Sequence, residues 1–193
     1  MTTGRPRASS REVLSEAACE LFLERGFDAT SITDISARAG VSRSSFFNYF
    51  ESKEAILWSS LDGRIETLRA GAPVEDPAAA LMSMCRDLQP DSLALALVNA
   101  HAMGLTDELE RGAAVRSARI ATVVSASLVA HGAEQVAAAV CGAAHAGAVM
   151  IAIERWARAG AGRASLSDEL EGALGVAATT LPARGAGRAL PLD

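Results

Sequence analysis

The sequence predicts an all-α chain: an N-terminal three-helix unit of helix-turn-helix form, followed by a larger helical body. Three observations predict it. Apolar residues recur three and four apart, the period of a helix face. Serines followed three residues on by an acid mark helix starts, and glycines mark stops. No stretch alternates β-branched and polar residues as a half-buried strand would.

The elements follow in order. Ser9 to Glu12 reads S-x-x-E, a capping box, and Val13, Leu14, Ala17, Ala18, Leu21 and Phe22 then carry one apolar face until Gly26. A second box, Ser31 to Asp34, opens a short helix that stops before Gly40. Ser42 caps a third helix ending near Tyr49 or Phe50. Ser52 caps a fourth, with Lys53 and Glu54 in its first turn, and Ile56, Leu57, Leu61, Ile65 and Leu68 carry it to about Arg69. Gly71 to Pro77 is a loop. Further helical stretches are expected over Ala78 to Leu88, Asp91 to His101, Thr106 to Ala130, Ala133 to Ala159, and Ser167 to Leu181. The organisation is then a flexible basic arm over 1–8, the helix-turn-helix unit over 9–53, the helical body over 54–181, and a disordered tail rich in Gly, Arg and Pro over 182–193.

The net charge of −5 is unevenly placed. Residues 1–53 hold seven basic and seven acidic side chains, whereas 54–193 hold eleven and sixteen. The acidic body is therefore not the surface that meets phosphate. Cys19, Cys85 and Cys141 are odd in number and lack metal-ligand spacing, which fits free thiols in a reducing cytosol and a cytoplasmic protein. The most apolar run, Ala137 to Ile153, is shorter than a typical membrane span and reads as a buried helix. There is no G-x-S-x-G, nucleotide loop, paired metal ligand or Cys/His pair at a suggestive spacing. No catalytic residue, metal or cofactor is assigned, and the chain is not expected to be an enzyme.

Helix, glycine turn, helix is the pattern of DNA readers. On a wheel of about 100° per residue, Phe46 and Phe50 share one face and pack inward. Arg43, Ser44, Phe47 and Asn48 cluster on the opposite side. That face suits a major groove: Arg43 can reach guanine O6 and N7, Asn48 can pair with adenine, and a Phe ring can touch a thymine methyl. Small Ser44 and Ser45 allow close approach. Tyr49 offers a hydroxyl to a phosphate, and Lys53 sits where a helix N-terminus adds positive charge.

The run LFLERGFDATSITDISARAGVSRSSFFNYFESKEAIL resembles the DNA-binding domain of the tetracycline-repressor (TetR) family. The matching pieces are Leu21-Phe22, Glu24 to Phe27, Thr30, Asp34-Ile35, Ala39 to Ser42, Tyr49-Phe50 and Lys53. The resemblance implies base contacts from Arg43 and Ser44, a further contact at Thr33, and phosphate contacts from Tyr49 and Lys53; Ser42, Ser45, Phe47 and Asn48 complete the candidate DNA-binding residues. Phe47 departs from the family, where a Tyr is common, so an apolar DNA contact and no contact both stay open. Gly4-Arg5-Pro6-Arg7 is similar to the arms that precede family members; a minor-groove hook and a plain tail are alternatives.

For the body, the resemblance implies a ligand pocket and a homodimer interface. Small residues over Ala137 to Ala148 and the stripe Leu166, Leu170, Leu174, Ala177 and Leu181 suit a four-helix interface between symmetry mates, or an intramolecular core. Only Trp58 and Trp156 of the eight aromatics lie beyond residue 50, which favours a small apolar ligand over a stacked one. The stretch Ser52 to Trp58 is more loosely similar to family members that sense acyl-CoA-like molecules. Candidate ligand contacts are Trp58, Leu61, His101, Arg116, Arg119 and His145; the arginines either face coenzyme phosphates or stand solvated on their helix, and the histidines either reach a polar ligand group or belong to the core. The expected function is a homodimeric transcription regulator that binds palindromic double-stranded DNA and is released by its ligand. The alternative is a helical DNA-binding or adaptor protein without a small-molecule effector.

Overall fold

The computed structural model describes residues 10–160 and 163–180 of the chain. These residues form ten α-helices and, among them, no strand. The arm over 1–8, Ser9 of the first capping box, Leu181 and the tail over 182–193 lie outside the described residues.

Helices α1 (Ser10–Arg25), α2 (Ile32–Arg38) and α3 (Arg43–Phe47) form the N-terminal unit. The second capping box is reciprocal. Ser31 Oγ accepts the Asp34 N–H at 3.1 Å, and the Asp34 carboxylate accepts the Ser31 N–H at 2.9 Å. The turn to α3 passes through Gly40 at φ 69°, a left-handed backbone that a side chain would strain. Ser42 Oγ then accepts the Ser45 N–H at 3.1 Å and starts α3. This helix is shorter than expected: it closes at Phe47, and Asn48 and Tyr49 form a turn. Phe46 and Phe50 are 0% and 3% exposed, packed in a core with Leu14, Phe22 and Ile35.

The connecting helix α4 (Ala55–Ala70) begins later than Ser52 predicts. Ser52 Oγ accepts the Ala55 N–H at 3.3 Å, so Lys53 and Glu54 lie in the turn before the helix. Helix α5 (Pro77–Cys85) is capped by Asp76, which accepts the Ala79 N–H at 3.0 Å. Pro77 therefore belongs to the helix rather than the loop, at the position where its missing N–H is harmless. The single helix expected over Asp91 to His101 divides into α6 (Ser92–Val98) and α7 (Ala100–Met103). Its backbone leaves the helical range at Asn99, with φ −110° and ψ 19°.

Helix α8 (Thr106–Ala130) has the predicted bounds. Helix α9 (Gln135–Ala159) starts late because Glu134 caps it, accepting the Val136 and Ala137 N–H groups at 2.9 Å. Helix α10 (Leu166–Thr180) closes the fold. A Cβ on Gly142 would lie 2.6 Å from the Ala121 carbonyl oxygen, so glycine is what lets α8 and α9 approach this closely. Ala138, Gly142, Ala146, Val149 and Ile153 of α9 are buried, as are Leu166, Leu170 and Leu174 of α10. One side of each stripe thus packs within the chain, while Ala137, Ala139, Val140 and Ala143 of α9 stay exposed and Ala177 of α10 is half-buried. Both α8 and α9 are long and apolar enough to cross a membrane by length and composition, and each packs against the helical body.

Candidate nucleic-acid interface

The polar side of α3 is open to solvent. Arg43, Ser44, Phe47, Asn48 and Tyr49 are exposed, as is Thr33 on α2. Phe47 at the end of α3 and Tyr49 in the turn after it are 48% and 42% exposed, whereas Phe46 between them and the core is fully buried. Ser42 and Ser45 differ from their neighbours. The Ser42 hydroxyl holds the Ser45 N–H and lies 2.8 Å from the Ser44 and Ser45 hydroxyls, so it serves the cap first. Ser45 is half-buried.

Electrostatics single out Arg43. Arg38 forks onto the Glu24 carboxylate at 2.9 and 2.7 Å and reaches Glu20 at 3.1 Å, tying α2 to α1. That pairing holds the Glu24 carboxyl below its usual range. Arg25 faces Asp34 at 3.7 Å, and Arg11 stands 5.3 Å from the Phe50 ring centre. With these cations engaged, Arg43 is the positive charge that α3 carries on its open face.

Lys53 departs from its expected role. Its ammonium donates to the Phe27 carbonyl at 2.6 Å and the Thr30 carbonyl at 3.1 Å, and lies 3.9 Å from the Phe27 ring centre. It is half-buried and staples the turn between α1 and α2, rather than projecting from the first turn of α4. The physical reason is local: the turn aims the Phe27 and Thr30 carbonyls at one point, where a cation can bond both, and the Phe27 carbonyl also accepts the Thr30 N–H at 3.1 Å. That same turn joins the unit to the body, because the Phe27 N–H donates to the Met103 carbonyl at 2.7 Å, at the end of α7. Nothing in side-chain patterning could have revealed this backbone bond.

The six ligand candidates do not converge in any described cleft. Leu61 is 1% exposed and belongs to the core. Trp58 is 3% exposed, packed on Gly112, with its indole N–H unpartnered and the Arg116 guanidinium 4.6 Å from its ring centre. Arg116 forks onto Asp62 at 3.1 and 2.6 Å, while Arg119 bridges Asp62 and Glu66. Both arginines expected to face phosphates are therefore committed to carboxylates of α4. His101 is exposed beside Asp28, Asp107 and Glu108, and His145 Nδ1 lies 2.8 Å from the Cys141 carbonyl. Asp62 and Glu66 escaped the sequence reading, although acids four apart on one helix match arginines three apart on another.

Residues 14–58 match the family model described as bacterial regulatory proteins, tetR family. Over 49 residues the chain is 47% identical to the HTH-type transcriptional repressor DhaR of Mycobacterium sp. (strain GP1), covering 25% of each chain. Over 61 residues it is 43% identical to the HTH-type transcriptional regulator EthR of Mycobacterium tuberculosis (strain ATCC 25618 / H37Rv), covering 31% of this chain and 28% of that one. The chain thus spans about a quarter of the length of these curated relatives. A longer likeness is to the crystal structure of Thermus thermophilus FadR, a TetR family transcriptional repressor in complex with lauroyl-CoA. The TM-score is 0.52 at 28% identity, covering 95% of this chain and 100% of that one.

Proposed function

Because the chain is a tetR-family transcriptional regulator, with residues 14–58 as its matched DNA-binding segment, we propose that it acts as a homodimeric repressor of a palindromic operator, released by an aliphatic or acyl-type effector. The observation that carries the DNA-reading part is the split of α3 and the turn after it: Phe46 and Phe50 are buried, while Arg43, Ser44, Phe47 and Asn48 are exposed. Arg43 and Asn48 read base edges, Thr33 and Ser44 border them, and Tyr49 meets a phosphate. One short helix reads few base pairs. Two copies related by a two-fold axis read a palindrome, with half-sites one turn or about 34–36 Å apart.

The partner surface is the outer side of α9 and α10. Ile151 and Val176 are 55% and 65% exposed there, beside Gly147 and Gly172, whose missing side chains let a second copy come close. The acyl-type effector is supported by the likeness to a repressor bound to lauroyl-CoA and by the largely aliphatic core of the body. Since Arg116 and Arg119 already hold α4, an effector that entered between α4 and α8 would loosen that contact and shift the reading unit. A hundredfold loss of DNA affinity needs only about 2.7 kcal/mol of coupling.

Native mass spectrometry with a selected palindromic duplex and lauroyl-CoA as probe tests this. The expected result is a dimer on DNA, released on binding the acyl-CoA. A monomer on DNA would remove the two-fold mechanism. A dimer that ignores acyl-CoAs of every chain length would instead favour a DNA-binding protein without this effector.

A further inference from the structure

The most spacious described cleft lies in neither the reading unit nor the inner body, but between them. About 810 Å³ opens where α1, α4 and the segment leading into α6 meet. That falls within the roughly 300–1,000 Å³ usual for small-molecule sites. One wall is apolar: Leu23 and Leu95 are 46% and 39% exposed at the cleft, with Ile56 and Pro90 between polar neighbours. The other wall is acidic. Glu12, Glu16 and Glu20 come from α1, and Asp87 and Asp91 from the segment between α5 and α6.

The cleft's two cations, Arg11 and Arg64, keep their charge but are outnumbered by its five carboxylates. Arg64 donates to the Met84 and Arg86 carbonyls at 2.8 and 2.6 Å, and Arg11 lies over Phe50. Glu20 is paired with Arg38, and Asp91 caps α6 through the Leu93 N–H at 3.0 Å. Glu16 and Asp87 have no ion pair among the described residues. The cleft is also lined by Ser60 and Ser92, whose hydroxyls bond the Asp91 carboxylate and the buried Cys19 thiol.

We propose that this interdomain cleft binds an amphipathic organic cation, its ammonium between Glu16 and Asp87 and its apolar part against Leu23, Leu95 and Ile56. The same charges exclude an anionic acyl chain, so the site is distinct from that of the effector above and does not depend on it. A molecule seated here touches α1 of the reading unit and α6 of the body together, and so biases how the two are placed.

Isothermal titration of the whole chain with hexyltrimethylammonium tests the proposal, with hexanoate as the anionic control. Glu16→Gln/Asp87→Asn removes both charges at exposed positions, and Asn tolerates the left-handed backbone of Asp87 at φ 58°. Expected are one saturable site per chain, binding about tenfold weaker in the double variant, weakening of the parent's binding at high salt, and no hexanoate binding. No binding by the parent, equal binding by both proteins, or equal binding of hexanoate would overturn it. The salt dependence of the parent alone decides the matter should the variant fail to fold.

Discussion

The guanidinium of Arg43 stands 5.8 Å from the centre of the Phe47 ring, and both side chains lie on the open side of α3. That is within reach of a cation–π attraction, so the ring partly orders the cation. Arg43→Ala should relax preference at one base pair of each half-site, at about 1–3 kcal/mol. Phe47→Ala should cost about 0.5–1 kcal/mol, and the double variant no more than Arg43→Ala alone. Fluorescence anisotropy on single-base operator variants measures all three. Additive losses would mean that Phe47 touches DNA independently, through a thymine methyl.

Lys53 offers a second separation of roles. Its bonds to the Phe27 and Thr30 carbonyls hold the turn that also carries the Phe27–Met103 bridge to the body. Lys53→Ala should therefore lower stability by about 1–3 kcal/mol, the range for hydrogen bonds to a charged group. The salt dependence of DNA binding should stay as in the parent. A slope reduced by about 0.9 per subunit would instead place Lys53 on a phosphate.

Local signals carried far in this chain. Ser31 and Asp34, Ser42, and the inward pair Phe46 and Phe50 stand where their spacing puts them, because capping and helical period act within a few residues. What escaped the sequence was settled by tertiary contact. The carbonyls that capture Lys53 lie 26 and 23 positions away, and Asp62 lies 54 and 57 positions from its arginines. The break at Asn99 likewise has no Gly or Pro to announce it. The leucine stripe of α10 was visible, but which surface it met was not: an apolar stripe suits a core and an interface equally.

Asp91 makes the fold sensitive to pH. Burial raises its carboxyl above the usual value of 3.8, against the lowering effect of the Leu93 and Ala94 N–H groups. The folded state therefore keeps this proton after the unfolded chain has lost it. Between the unfolded and folded values, stability from this group falls as pH rises. Asp91→Asn keeps a capping oxygen and removes the charge. Urea unfolding at steps from about pH 3.8 upward should show a flatter profile for the variant through that window. An identical slope in both proteins would assign the pH dependence elsewhere.

Gly112 and Trp58 set the spacing of α4 and α8. A Cβ at Gly112 would lie 2.6 Å from Trp58 Cε2, against a ring that is 3% exposed and covered on another side by Arg116. The indole cannot yield without disturbing the Arg116–Asp62 fork. Gly112→Ala should thus cost about 1–3 kcal/mol, the usual penalty of overpacking. Placed in a Trp58→Phe background, the same substitution should cost less than half as much, because the smaller ring leaves room for the methyl. Chemical denaturation of the four proteins gives the coupling directly. An undiminished cost beside Phe would show that the added methyl strains α8 itself, and that the indole is not what fixes the distance between the helices.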